Sequence, residues 1–153
     1  MKTHCYETTI KWTGNKGSGT ESYRSYERNY TISAAAKQPI PGSSDPTFRG
    51  DPARYNPEEL LVASLSSCHM LWYLHLCAEA GVIITEYSDT ALGKMEENED
   101  GSGKFTEVVL RPRVILADVS KRELAESLHS AAHKMCFIAN SCNFSVKHEP
   151  VIL

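Results

Sequence analysis

Apolar and polar positions alternate along two early stretches, 4–12 ("HCYETTIKW") and 22–32 ("SYRSYERNYTI"), both rich in β-branched and aromatic residues. A period of two with these residue types predicts strands. Between them, "TGNKGSGT" has the Gly, Asn and Ser content of a hairpin-type loop. From Ser33 to Tyr55 no period holds, and four of the seven prolines fall there: Pro39, Pro41, Pro46 and Pro52. Loops of that length are uncommon inside compact domains and are often functional. It is not read as a domain linker, because the two strands before it cannot form a stable domain alone.

At Asn56 the pattern changes to that of a helix. Asn is a preferred N-cap, Pro57 fits the first helical position, and Glu58 and Glu59 suit the positive end of the helix dipole. The run from Leu60 to Ala78 then holds 19 residues without a formal charge, and Gly81 is a natural stop. Strands are expected at about 83–98 and 104–118, split by the turn "ENEDGSG". "SKRE" at Ser120 to Glu123 reads as a capping box opening a second helix to about Met135. A turn at "IANS" and a closing strand near 143–152 complete the order β-β-α-β-β-α-β. The expectation is one α+β domain over 1–153, an antiparallel sheet against two helices.

Composition narrows the class. With 41% apolar and 23% charged residues the chain is globular, and a formal charge of −3 offers no basic stripe for nucleic acid. No secretion-type start is present. The 19-residue run approaches the ~20 residues of a membrane span. It also carries Ser64, Ser66, Ser67, His69 and His75, which are costly in lipid, so the reading is a helix buried in a core or a dimer interface and no membrane partner. Five cysteines (Cys5, Cys68, Cys77, Cys136, Cys142) form an odd set with no C-x-x-C, which favours a reducing cytoplasm over a disulfide scaffold.

Cys68, in the middle of the apolar run, is the residue with candidate chemistry. A buried free cysteine is usually a small hydrophobe. Here Ser64 and His75 fall at helical spacing on the same stripe, and a thiolate needs nearby donors or positive charge. Cys77 falls on the opposite face and reads as packing, as does Cys142. His129, His133 and Cys136 lie at i, i+4 and i+7, a face that offers zinc-type ligands; Ser130 stands where the H-E-x-x-H helix has its glutamate. The plainer reading is two histidines favoured at a helix end. Glu58 lies ten residues before Cys68, about 15 Å along a continuous helix. The two cannot share a site within one helix, so joint use predicts a dimer with composite sites. Arg28, Arg49 and Arg54 are candidate thiolate partners, each otherwise a solvated surface arginine.

"NPEELLVASLSSCHMLWYLHLCAEAG" resembles the first cysteine motif of the OsmC/Ohr family of thiol-dependent hydroperoxide reductases, and "AHKMCFIANS" resembles its second. Together with the element order, the resemblance covers nearly the whole chain. "SSCHMLW" and "CFIAN", without a Cys-Pro turn, depart from both main branches and look like an OsmC-like side branch. The resemblance implies an OsmC/Ohr-like fold, with sheets around two central helices in an intertwined homodimer. It implies reduction of organic hydroperoxides, with hydrogen peroxide as a further substrate, in oxidative or osmotic stress defence. Cys68 matches the peroxidatic cysteine, Cys136 the resolving cysteine, and Glu58 the glutamate that holds an arginine near the thiolate. That arginine matches Arg49 in the OsmC branch and Arg28 in the Ohr branch; Arg49 is preferred. Leu65, Leu71, Trp72 and Phe137 are candidates for an apolar pocket wall. No cofactor is implied, and an external dithiol would be the reductant. Two other classes compete: a metal-binding protein or hydrolase using His129, His133 and Cys136, and a non-catalytic small-ligand module on the same fold.

Overall fold

Asn56 and Glu59 start the first helix by a reciprocal exchange. The Asn56 side-chain oxygen accepts from the Glu59 N–H (2.8 Å), and the Glu59 carboxylate accepts from the Asn56 N–H (3.1 Å). Two of the amides that a helix start leaves unpaired are thus satisfied. Helix α1 runs unbroken over Pro57–Glu79 and stops before Gly81, whose φ of +67° is open to glycine. The computed structural model describes residues 1–153. It forms two compact units, Met1–Leu60 and Leu61–Leu153.

The N-terminal unit is built on three antiparallel strands in the order β1-β2-β3: β1 Thr9–Trp12, β2 Tyr30–Ser33 and β3 Ile40–Gly42. Both expected strands are present but shorter, and β3 arises inside the stretch read as aperiodic. Gly42 is required where it pairs with Tyr30, because a Cβ there would lie 2.3 Å from the Tyr30 ring. The segment after β3 is pinned by buried Ser43, whose hydroxyl accepts from the Asp51 N–H (3.0 Å).

In the second unit, the expected hairpin of 83–98 and 104–118 forms with each arm broken in two. Strands β4 (Ile84–Asp89) and β5 (Leu92–Glu97) make one arm; β6 (Gly103–Leu110) and β7 (Pro112–Leu116) make the other. β4 pairs with β7 and β5 with β6, both antiparallel. The closing strand also divides, into β8 (Ser145–His148) and β9 (Val151–Ile152). Prolines explain two of the breaks, since Pro112 and Pro150 offer no N–H to a ladder. The breaks lie side by side and are bridged: the Asp89 carboxylate accepts from the Arg111 N–H (2.7 Å), and the Glu149 N–H donates to the Leu110 carbonyl (2.8 Å).

The expectation of purely antiparallel sheets is corrected here. β8 runs parallel to β6, and β9 parallel to β7. Helix α2 (Arg122–Met135) lies between β7 and β8 in sequence and returns the chain in the direction a parallel strand needs. The capping box at Ser120 is also corrected. Ser120 lies in a 3-10 turn, Val119–Lys121, where its N–H and hydroxyl both bond Asp118, and α2 begins after Lys121 without a side-chain cap.

The core of the second unit has two clusters, one on each of its three-stranded sheets. Tyr73 and Cys77 of α1 and Ala125 and Ala132 of α2 pack on Val114, Leu116 and Ile152 of the β4-β7-β9 sheet. Leu65 packs on Val108 and Leu110 of the β5-β6-β8 sheet. Leu65 is fully buried. Leu65→Ala is therefore expected to cost about 2–5 kcal/mol, read as a lowered urea midpoint at unchanged slope. Along α1 the buried positions recur every fourth residue: Leu65, His69, Tyr73 and Cys77. By length and composition alone α1 is apolar enough to cross a membrane, and 22% of its most apolar 18 residues is buried within the chain. The stripe packs as expected of a core helix, while Ala63, Ser67, Leu71 and His75 form an exposed face on α1.

Candidate active site

Cys68 lies mid-way along α1, half-buried; Cys136 is the residue that ends α2, 1% exposed. The Cys136 thiol has Cys68 among its near neighbours, so the fold brings together two side chains that are 68 residues apart in sequence. All five cysteines are free thiols. Burial, reinforced by the neighbouring Cys68, pushes the Cys136 thiol up to about 11, against the opposing pull of backbone donors. One of these is the Ala139 N–H, which donates to the Cys136 sulfur at 3.4 Å. Cys136 is thus a neutral thiol near pH 7.

The same two helix segments meet through aromatic rings. Trp72, one turn after Cys68, meets Phe137, the neighbour of Cys136, edge-to-face at 5.7 Å; His75 lies edge-on to Trp72 at 5.8 Å. Phe137 and Leu71 are exposed. Of the four residues expected to form an apolar wall, Trp72 and Phe137 are in contact with each other. Leu65 is not part of it, being enclosed in the core cluster on β6. The polar stripe expected around Cys68 is corrected too: the Ser64 hydroxyl donates to the Leu61 carbonyl (2.7 Å) of its own helix.

The metal reading of His129, His133 and Cys136 is not assembled. No group of three or more His, Cys, Asp or Glu side chains stands in position to hold a metal ion. The Cys136 sulfur accepts from the Ala139 amide, and His129 turns to a different partner. Its Nδ1 lies 3.0 Å from Nε2 of His69 across the two helices, with both residues fully buried. Tyr73 stacks on the His129 ring at 3.8 Å, and His148 of β8 lies 5.6 Å from His69. Burial first, then the neighbouring histidines, hold His69 down to about 4 and His129 down to about 3. Sequence reasoning missed His69, Tyr73 and His148. The four-residue recurrence of Leu65, His69, Tyr73 and Cys77 carries a signal for the first two; nothing in spacing marks His148.

The remaining candidates belong to the N-terminal unit. Glu58 sits in the first turn of α1, and with α1 continuous it lies ten residues, about 15 Å, from Cys68 along the axis. Burial, then the Glu58 carboxylate, raise the Tyr30 phenol above its ordinary value. Arg28 is engaged within its own loop: its guanidinium donates to the Tyr26 and Tyr23 carbonyls (both 2.6 Å) and lies over both tyrosine rings, at 4.1 and 4.3 Å. Arg54 pairs with Asp51 at 3.4 Å. Arg49 is exposed and holds a left-handed backbone, φ +67° and ψ +26°, at the end of the 3-10 turn Pro46–Phe48. Such a conformation persists in a non-glycine residue only where its surroundings impose it. Here the Arg49 N–H donates to the Pro46 carbonyl (3.0 Å) and the Gly50 N–H to the Asp45 carbonyl (3.1 Å).

Residues 50–150 match the family model described as OsmC-like protein. An OsmC-like protein of unknown function from Vibrio cholerae shares 34% identity over 97% of this chain and 100% of its own, with a TM-score of 0.86. An organic hydroperoxide resistance protein from Elizabethkingia anophelis is 21% identical, with a TM-score of 0.68 over 99% of this chain and 98% of its own. The organic hydroperoxide resistance protein OhrB of Bacillus subtilis is 22% identical, with a TM-score of 0.65 over 97% of this chain and 98% of its own. These last two likenesses establish the fold alone. No curated protein matches the chain. A family match over most of the sequence, a relative at 34% identity and an α+β fold carrying two facing cysteines lead to one conclusion: the chain belongs to the OsmC-like family.

Proposed function

We propose that this protein is a cysteine-based hydroperoxide reductase in which Cys68 attacks the peroxide and Cys136 resolves the product. The observation that carries the reading is the approach of a partly buried Cys68 to a fully buried Cys136 whose thiol is pushed up to about 11. The accessible sulfur meets substrate, while the buried one stays protonated and in reserve. The Cys68 thiolate attacks the distal peroxide oxygen and the O–O bond breaks. The alkoxide takes up a proton and leaves as the alcohol, and Cys68 is oxidised by two electrons to a sulfenic acid. The Cys136 sulfur, losing its proton, then attacks the Cys68 sulfur; the S–S bond forms and water leaves. An external dithiol returns both thiols by exchange.

The contact between Trp72, one turn after Cys68, and Phe137, the residue after Cys136, supports organic hydroperoxides as the substrate class. Several structural relatives carry the name of organic hydroperoxide resistance proteins, which agrees with it. The working form in this reading is a homodimer. Its support is the continuity of α1, which sets Glu58 about 15 Å along the axis from Cys68 in the same chain, and the exposed Leu71 on that helix. A second copy would then supply Glu58 with an arginine to hold the thiolate by charge-assisted hydrogen bonding. Arg49 is favoured for this role, since the Arg28 guanidinium is already occupied by two carbonyls and two rings. Free cysteines throughout fit a reducing cytoplasm.

The test is titration of the reduced protein with one equivalent of cumene hydroperoxide, followed by non-reducing digestion and mass spectrometry. A Cys68–Cys136 disulfide is expected. An unmodified Cys68 overturns the reading and leaves a non-catalytic binding module on the same fold.

A further inference from the structure

Two ladders of contact join α1 to α2 and the residues that follow it. Cys68 and Trp72, one turn apart, face Cys136 and Phe137. His69 and Tyr73, the next positions along, face His129. His129 and Cys136 are seven residues apart, about 10 Å along α2. Two consecutive residues of α1 are therefore tied at two points two turns apart on the other helix, and two such ties fix how the helices cross. The first is the approach of Cys68 to Cys136 together with the edge-to-face contact of Trp72 and Phe137 at 5.7 Å. The second is the 3.0 Å bond from His69 Nε2 to His129 Nδ1, between nearly coplanar rings inclined by 5°.

We propose that His69 and His129 are a positioning pair, whose ring-to-ring hydrogen bond sets the crossing of α1 and α2 and so holds the Cys68 and Cys136 sulfurs within bonding approach. The proposal rests on the reading of these cysteines as a redox pair, but not on the peroxide being their oxidant. A disulfide needs Cα atoms within roughly 7 Å and a defined sulfur geometry, so a small change in crossing is felt directly. Burial makes the bond selective. An imidazole nitrogen left without its partner in a dry site costs about 1–3 kcal/mol, so the helices are held at the crossing where the nitrogens meet. Around the pair stand His133 of α2, His148 of β8 and Tyr73 of α1, with Tyr87 of β4 behind Tyr73. The charges acting on the two rings come from histidines alone, and these oppose a further positive charge. Both rings are thus neutral at pH 7, one donating and one accepting.

The test reads the disulfide without using peroxide. Reduced protein is equilibrated at pH 7 with glutathione and glutathione disulfide. Cys68 and Cys136 give up two electrons and two protons, and one glutathione disulfide becomes two thiols. His129→Phe keeps a ring for Tyr73 to stack on but removes the nitrogen. His129→Asn keeps a nitrogen or oxygen near the place of Nδ1 but removes the ring. His129→Phe is expected to lower the equilibrium constant for the disulfide at least tenfold, about 30 mV for this two-electron couple. His129→Asn is expected to stay within threefold of the parent. Equal constants for the parent and a folded His129→Phe protein overturn the proposal, as does an equal loss in both variants. If His129→Phe does not fold, ¹⁵N spectra of the parent's imidazoles decide. Two rings still neutral at pH 5.5 and sharing one proton are expected; rings that titrate independently near 6.5 overturn the pair. Stoichiometric zinc or copper bound through these rings also overturns it, in favour of a metal centre. Failure of peroxide turnover alone, with the disulfide constants as expected, would instead sink the peroxidase reading and leave the positioning pair standing.

Discussion

Cys68→Ser should abolish turnover of cumene hydroperoxide with a dithiol reductant, lowering kcat/KM by about three orders of magnitude or more, because a serine hydroxyl is not ionised near pH 7 and no second thiol reaches the substrate. Cys136 cannot substitute, being buried and pushed up to about 11. Cys136→Ser should behave differently. One equivalent of peroxide is still consumed in the first turnover, since the attacking sulfur is untouched. The sulfenic acid then has no resolving partner, and repeated exposure should drive it to the sulfinic and sulfonic acids. Stopped-flow measurement of the first turnover and mass analysis of the product separate the two variants. Equal first-turnover rates in the parent and Cys68→Ser would remove Cys68 from the reaction.

Acid should destabilise this protein at a pH where most proteins are unaffected. His69 and His129 are held down to about 4 and about 3 in the folded chain and return to about 6.5 when unfolded. The unfolded chain therefore binds more protons between these values, and stability falls as pH falls. The contribution is fully present above pH 6.5 and is lost as pH drops from about 6.5 toward 4. Each ring changes stability by up to about 1.4 kcal/mol per pH unit within the window, or about 2 kcal/mol between pH 7.5 and 5. Urea denaturation at half-unit steps from pH 7.5 to 5 measures it. Staying above pH 5 keeps the window clear of Asp45, Asp100, Glu107 and Asp118, all held below the ordinary carboxylate range by hydrogen bonds. His148, also held below its ordinary value by burial and then by His133, adds to the same fall, so His69→Gln should remove part of the slope and leave the remainder. A flat profile in the parent would mean that the rings charge freely in the folded state.

Much of this protein is written locally. The start of α1 at Asn56 and Pro57, its unbroken length and its end before Gly81 follow from contacts within four residues, which a sequence displays directly. So do the hairpin arms, whose turn residues lie between them. The two cysteine motifs were legible as a resemblance, and with them the family. What the sequence did not display are the contacts made across long separations. The breaks beside Pro112 and Pro150 split one hairpin and its neighbour into two three-stranded sheets, and the passage through α2 made β8 and β9 parallel. Nothing in the sequence shows that the Arg28 guanidinium is engaged by two tyrosine rings and two carbonyls of its own loop. His129 lies at the spacing of a metal ligand, yet its partner is 60 residues away on another helix. Sulfurs at 68 and 136 have no reason to meet in spacing alone. Caps and turns are settled by bonds within a few residues, whereas the meeting of Cys68 with Cys136 and of His69 with His129 depends on how two helices cross over a sheet, and that crossing is decided by the packing of the whole core.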